Sequence, residues 1–336
     1  MHFSILIALG FTGAASAAAA PRFYRDASTP GSPFTVEAST CDEAGKIYSA
    51  LEQWKARLGE SVPSTPPPPF QKTASGCIVS LENAAPEFVK KYDGVKVVEN
   101  WGNCWGTVLA AAGMVPDFID THSMEEGTQL WVDSPLCSPV PQSQKPQPGD
   151  LISIGTPLSS SMLRHTHGMV YVGEGLVFSK NDGSTATPFA VQSMDDVLKV
   201  YPVENSPSCR QANPKNYGKC STVMTYYRCT TMNQLTQNPA HPISANLSAC
   251  FAKMGELENR VRARSLKADQ NSFDEVLSQI RGSAEAIQDF GNQESGKIKE
   301  QMKSKSLSQD ELSRLREEAF LWDTLGFRAQ AIWGGI

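Results

Sequence analysis

Two side chains in this 336-residue chain have the types and setting of a nucleophile and its base: Cys104 and His167. Cys104 lies in the run Asn103-Cys104-Trp105-Gly106-Thr107-Val108-Leu109-Ala110-Ala111-Ala112-Gly113. Asn103 is a good N-cap, Val108, Leu109 and the alanines make an apolar helix body, and Gly113 suits the left-handed position past a helix end. Cys104 then falls in the first helical turn, where free amide N–H groups and the helix dipole favour a thiolate. The competing reading is a buried or disulfide-bonded cysteine in an ordinary apolar helix. His167 directly precedes the apolar run Met169 to Val172. A helix-borne thiol and a strand-borne imidazole can face each other across a helix–sheet cleft, the imidazole taking the thiol proton and later returning it to a leaving group.

Such a base is normally oriented by a third polar group. The strand returning after Gly173-Glu174-Gly175 offers Ser179 and Asn181, which share a face when extended, with Lys180 on the other. The Asn181 carbonyl oxygen can accept from a ring N–H. His165 and His167 have the same parity along an extended strand. His167 is expected to contact Cys104 because the apolar run fixes its place on the sheet, with His165 at the cleft edge. Trp101 and Trp105 either line a groove for sugar or peptide or are core aromatics. His165-Thr166-His167 also has the form of a metal pair, but a zinc site needs a further His and an acidic ligand, and His122 sits at a different spacing. No metal and no cofactor is expected. Ser159-Ser160-Ser161 lacks a nucleophile elbow.

The elements that must position these groups follow in order. Thr40-Cys41-Asp42-Glu43 has the form of a capping box ahead of Ile47, Leu51, Trp54 and Leu58 at helical spacing. Residues 21 to 39 read as an unstructured lead-in, and Ser64 to Pro69 as a stiff linker. A short helix opened by Pro86 spans Ala85 to Tyr92. Pro148-Gly149-Asp150 is a turn, followed by strands at Leu151–Ile154, Gly168–Val172 and Leu176–Ser179, with further strands expected over 197 to 203 and 222 to 229. Beyond residue 238, apolar stripes at Leu247–Val261, Phe273–Ile280 and Leu312–Trp322 predict two to four helices, with capping candidates Ser272/Glu275 and Ser308/Glu311. Helix first, then an antiparallel meander, predicts an α+β domain.

Met1 to about Ala20 has the apolar core and small-residue tail of a secretory signal, and no other run reaches about 18 apolar residues, so no transmembrane helix is expected in the mature chain. Export makes disulfides favourable among the eight cysteines. If Cys104 is a free nucleophile, at least one other is unpaired; Cys209 with Cys220 and Cys229 with Cys250 are candidate local bridges. A net charge of −5 argues against nucleic acid as a partner.

Asn103-Cys104-Trp105-Gly106, Gly149-Asp150-Leu151 and His167-Gly168-Met169-Val170-Tyr171-Val172-Gly173, in that order, resemble the NlpC/P60 and CHAP group of papain-like cysteine hydrolases over roughly residues 80 to 185. The resemblance implies a papain-like helix on an antiparallel sheet, Cys104 as nucleophile, His167 as base, and the third position at Ser179, where His, Asn or Gln is more usual. It also implies a peptidoglycan peptide as substrate. Asn103-Cys104-Trp105 departs from the usual Asp-Cys-Ser. The chain is therefore expected to comprise a signal peptide (1–20), an N-terminal helix and Pro-rich linker (21–70), a papain-like hydrolase domain (71–237) and a helical C-terminal region (238–336) available to a protein partner. The expected function is amide hydrolysis by a secreted or periplasmic enzyme. The alternatives are a peptidase or amidase on another exported substrate, and a degenerate domain kept for binding.

Overall fold

The computed structural model describes residues 20–24, 33–63, 67–96, 103–113, 132, 136–160, 162–182, 184, 186–237, 243–265, 270–304 and 306–333. Trp101, His122 and nearly all of the expected signal peptide lie outside these residues. The chain is mixed α and β, with antiparallel sheets and a helical C-terminal region.

The segment read as an unstructured lead-in contains two strands, β1 (Arg22–Tyr24) and β2 (Thr35–Ala38). Phe34, Val36 and Ala38 alternate inward and are buried, which is sufficient drive for pairing. With β3 (Gln71–Lys72) and β4 (Cys77–Ser80) they form a sheet in the order β1-β2-β4-β3. The Cys41–Cys77 disulfide fastens the same junction, so residues on both sides of the proline run share one sheet. Helix α1 (Cys41–Arg57) starts where Thr40 accepts from the Glu43 N–H, and Ile47, Leu51 and Trp54 are buried at the expected spacing. The Trp54 indole N–H donates to the Ala111 carbonyl at 2.9 Å, tying α1 to the end of the Cys104 helix.

The second sheet runs β5 (Cys137–Pro139), β10 (Val223–Cys229), β6 (Leu151–Pro157), β7 (Leu163–Gly173), β8 (Leu176–Ser179) and β9 (Ala190–Ser193), in that spatial order. Helices α2 (Glu87–Tyr92) and α3 (Cys104–Ala111) lie towards one face, where Val108 and Leu109 share a core with Val170, Val172 and Phe178. The opposite face carries Ile152, Ile154, Met169 and Val177 against Val197 of α4 (Met194–Val200). Sequence pattern suggested a strand over 197 to 203. Ser193 instead caps a helix there, accepting from the Asp195 N–H, and Asp195 and Asp196 suit its first turn.

The Gly149-Asp150 turn is a structural clamp. Gly149 has φ +86°, and a Cβ there would lie 2.9 Å from the Trp54 ring. Asp150 is fully buried and receives Arg57 Nη1 at 2.6 Å, Arg228 Nη2 at 2.8 Å and Nε at 3.1 Å, and the Gln147 N–H at 2.8 Å. It thereby joins α1, β6 and β10.

Disulfides Cys137–Cys229 and Cys209–Cys220 complete a set of three, leaving Cys104 and Cys250 free. The expected 209–220 bridge is present. Cys229 pairs with Cys137 instead of Cys250, because β5 and β10 are neighbours and bring those two residues into register. After α5 (Pro207–Arg210) and α6 (Met232–Thr236), the C-terminal region forms α7 (Ala245–Ser265), α8 (Gln270–Gln301) and α9 (Gln309–Trp333). Ser308 and Glu311 cap α9 reciprocally. Ser272 is already inside α8. Leu247, Met254, Leu257 and Val261 bury the α7 stripe, and Glu258 and Arg328 form a fully buried bidentate pair between α7 and α9. A cavity of about 950 Å³ separates α7 from the ends of α1 and α3.

Candidate functional site at the start of the Cys104 helix

The local sequence builds the helix start as expected. Asn103 is extended, and its Oδ1 accepts from the Trp105 and Gly106 N–H groups at 2.9 and 3.1 Å. Gly113 takes φ +74° past the other end. Cys104 is the first helical residue, reduced and 9 % exposed. Burial pushes its thiol up to about 11. The backbone N–H groups of Gly168, Trp105 and Cys104 itself oppose that rise, as does the charge of Lys180.

The two histidines part company at a bulge. In the β6–β7 register Ile154 pairs with His167, but the next residue, Gly155, pairs with His165. Thr166 is therefore the extra residue, and its hydroxyl donates to the Ile154 carbonyl at 3.1 Å. One extra residue reverses parity, so His165 and His167 leave the sheet on opposite faces. Gly168 marks the α3 face, since a Cβ there would sit 2.7 Å from the Trp105 ring and 3.2 Å from Val108. His165 is on that face. Its Nδ1 is hydrogen-bonded to the Ser153 hydroxyl, and its ring meets Trp105 edge-on with centroids 5.7 Å apart.

His167 is on the other face with its partner Ile154. Its ring stacks on Tyr201 at 4.0 Å and 5°, and neither ring nitrogen has a hydrogen-bond partner among the described residues. Burial pulls its basicity down to about 3, so it is neutral at ordinary pH. The expectation that His167 faces Cys104 rested on the apolar run Met169 to Val172, with both histidines on one face; the bulge puts them on opposite faces, and it is His165 that shares the face of α3. The same reversal leaves the two rings unable to share one metal ion.

Ser179 and Asn181 share a face, as alternation predicts, but it is the face of His167. Asn181 Oδ1 accepts from Ser179 Oγ at 3.1 Å, and Gln192 Nε2 donates to Ser179 Oγ at 3.0 Å. The Tyr201 hydroxyl donates to the Asn181 carbonyl. These groups hold one another and do not orient the imidazole. Lys180 leaves on the side of Phe178 and α3, fully buried. Trp105 is 5 % exposed and packs beneath His165, so it is a wall of the site and not a free groove aromatic.

On the Cys104 face the strand pairing sets Thr225, Ser153 and Gly168 in one row across β10, β6 and β7. Tyr217 adds its hydroxyl, 3.1 Å from Thr225 Oγ1 and 3.0 Å from Tyr227 Oη. Sequence reasoning missed Ser153 and Thr225, and it placed Lys180 on the face opposite Ser179 and Asn181 without giving it a part in the site. One signal was available: Gly155, a glycine inside a strand, is a common mark of a bulge. The arrangement combines a thiol at a helix start, backbone N–H donors at its sulfur, and an imidazole held by a hydroxyl on the same sheet face. Comparison of the chain with family models, with characterised proteins and with solved structures finds no match.

Proposed function

We propose that the chain is an exported cysteine hydrolase that cleaves amide bonds through an acyl-enzyme on Cys104. One observation carries the reading: Cys104 stays reduced at the first turn of α3, with backbone N–H groups on its sulfur, while six other cysteines are oxidised. An oxidised sulfur cannot attack a carbonyl. Three disulfides accord with secretion, and no described helix is long and apolar enough to cross a membrane.

In this reading His165 is the base. It shares the sheet face of α3, and Ser153 holds its Nδ1. The imidazole takes the thiol proton, the sulfur adds to the carbonyl carbon, and the proton passes to the departing amine. Water then releases the acyl group by the reverse sequence. The substrate assignment, a peptide of peptidoglycan, rests on the resemblance of residues 80 to 185 to NlpC/P60 hydrolases.

The burial of Cys104 and His167, both uncharged at rest, favours one second reading: a domain of this form that binds its target and leaves it intact. Iodoacetamide separates the two. If the enzyme reading holds, amide hydrolysis falls in step with alkylation of Cys104 and is indifferent to EDTA. Hydrolysis that survives complete alkylation of Cys104, or that EDTA removes, overturns it.

A further inference from the structure

Lys180 is a buried cation whose carboxylate partner stands off. Its side chain is fully buried, and its ammonium donates to the carbonyls of Asp182 at 2.7 Å and Ser184 at 2.6 Å. The carboxylate that accompanies it, Asp182 Oδ1, stands off at 3.8 Å and is half exposed. Taking an ammonium out of water is costly unless a partner charge compensates, and two carbonyl dipoles supply only part of that compensation. The position is also specific. Ser179 and Asn181 turn to the opposite face, so Lys180 alone of the three points to the face where α3 begins.

We propose that Lys180 is the fixed counter-charge of the Cys104 thiolate, a positioning residue that keeps the sulfur ionisable inside a buried site. The inference rests on the reading of Cys104 as the nucleophile. It explains how a sulfur so removed from water can react at all: the ammonium and the thiolate each offset the other's desolvation. Four other titratable groups bear on the pair. Asp182 competes for the ammonium from the loop after β8. Tyr201, from the end of α4, has its phenol pushed up chiefly by burial and further by the charges of Cys104 and Asp182. His165 stands on β7 on the same face, and His167 stacks on Tyr201 from the other. Burial lowers the Lys180 ammonium while the charges of Asp182 and Cys104 hold it up, so the pair is mutually stabilising.

The test reads sulfur ionisation directly, without a substrate. The rate of Cys104 carbamidomethylation by iodoacetamide is followed by peptide mass spectrometry at pH 8, disulfides intact, with Cys250 scored separately. Lys180→Met is expected to slow labelling about tenfold, equivalent to about one pH unit in thiol ionisation. Lys180→Arg should label within about threefold of the parent, since the charge is kept. Asp182→Asn should label severalfold faster, because it frees the ammonium for the sulfur while its one remaining oxygen keeps the Ser184 N–H; the Thr187 hydroxyl can turn to accept from the new NH₂. Loosened packing alone would speed labelling in Lys180→Met, the opposite sign. Unchanged or faster labelling in folded Lys180→Met overturns the proposal. So does unchanged or slower labelling in Asp182→Asn, which decides the matter if Lys180→Met does not fold. The expected shifts, found in a protein whose Cys104→Ala variant still hydrolyses its substrate, would sink the hydrolase reading and leave the ion pair standing.

Discussion

Replacing Asp150 by Asn should destabilise the protein by about 3 kcal/mol without touching the candidate site. The carboxylate is fully buried and accepts four hydrogen bonds, three of them from guanidinium groups of Arg57 and Arg228. Removing one partner of a buried ion pair costs about 3–5 kcal/mol, because the remaining charge is left uncompensated. Here the lower end applies: the Arg57 and Arg228 side chains are 16 % and 33 % exposed, so water reaches them once the carboxylate charge is gone. Asn keeps the shape but offers one acceptor oxygen where two were used, and its NH₂ faces a donor. For a chain of this size the loss corresponds to about 5–10 °C in Tm. The assay is thermal unfolding by circular dichroism in non-reducing buffer, alongside Arg57→Met, Arg228→Met and the double variants with Asp150→Asn. The cycles should show coupling, since all three groups share one network. A loss below about 1 kcal/mol, or additive cycles, would mean that the Gly-Asp-Leu turn is not clamped as described.

Three further outcomes follow from the same geometry. Gly168→Ala puts a methyl 2.7 Å from the Trp105 ring and should cost about 1–3 kcal/mol, read as a lower urea midpoint; an unchanged midpoint would place α3 farther from β7. His167 is held neutral in the folded chain but ionises near 6.5 once unfolded, so the unfolded state binds more protons between those values. Stability from this group is therefore complete above pH 6.5 and is lost as pH falls towards 3, amounting to about 2–3 kcal/mol by pH 4.5. His167→Phe, which keeps the stack on Tyr201, should flatten that part of the pH–stability curve, and equal acid sensitivity in both proteins would contradict the burial. Cys137→Ser opens a bridge spanning 92 residues and should cost about 4–5 kcal/mol by chain entropy, measured by denaturant unfolding against the parent.

Local chemistry was legible wherever one segment decides its own conformation. Asn103 as cap, Gly113 past the helix end, Thr40 ahead of α1 and the Ser308–Glu311 pair all depend on residues within a few positions of each other. The meander from Leu151 to Ser179 was readable for the same reason. The lead-in was misread because β2 is a short strand held between β1 and β4, and its β4 partners, such as Val79 opposite Val36, lie beyond α1 and the proline run. The site was partly legible. Cys104 was found from its helix start, but the choice between His165 and His167 depends on a single inserted residue, Thr166, that reverses every later side chain. Ser153, in β6, and Lys180, just past the end of β8, are not motif residues themselves, and their relevance comes from which face they share with α3. The Cys229 pairing was hidden because it follows strand order and not sequence proximity.

The claim that matters most is that Cys104 performs amide hydrolysis. The purified, disulfide-intact protein should be incubated with purified peptidoglycan in the presence of EDTA, beside its Cys104→Ala variant, and the soluble fragments identified by mass spectrometry. The account predicts stem peptides shortened at one amide bond by the parent protein and none above background with the variant. Identical fragments from both proteins, or release that EDTA prevents, would contradict it. Release by neither would remove peptidoglycan as the substrate.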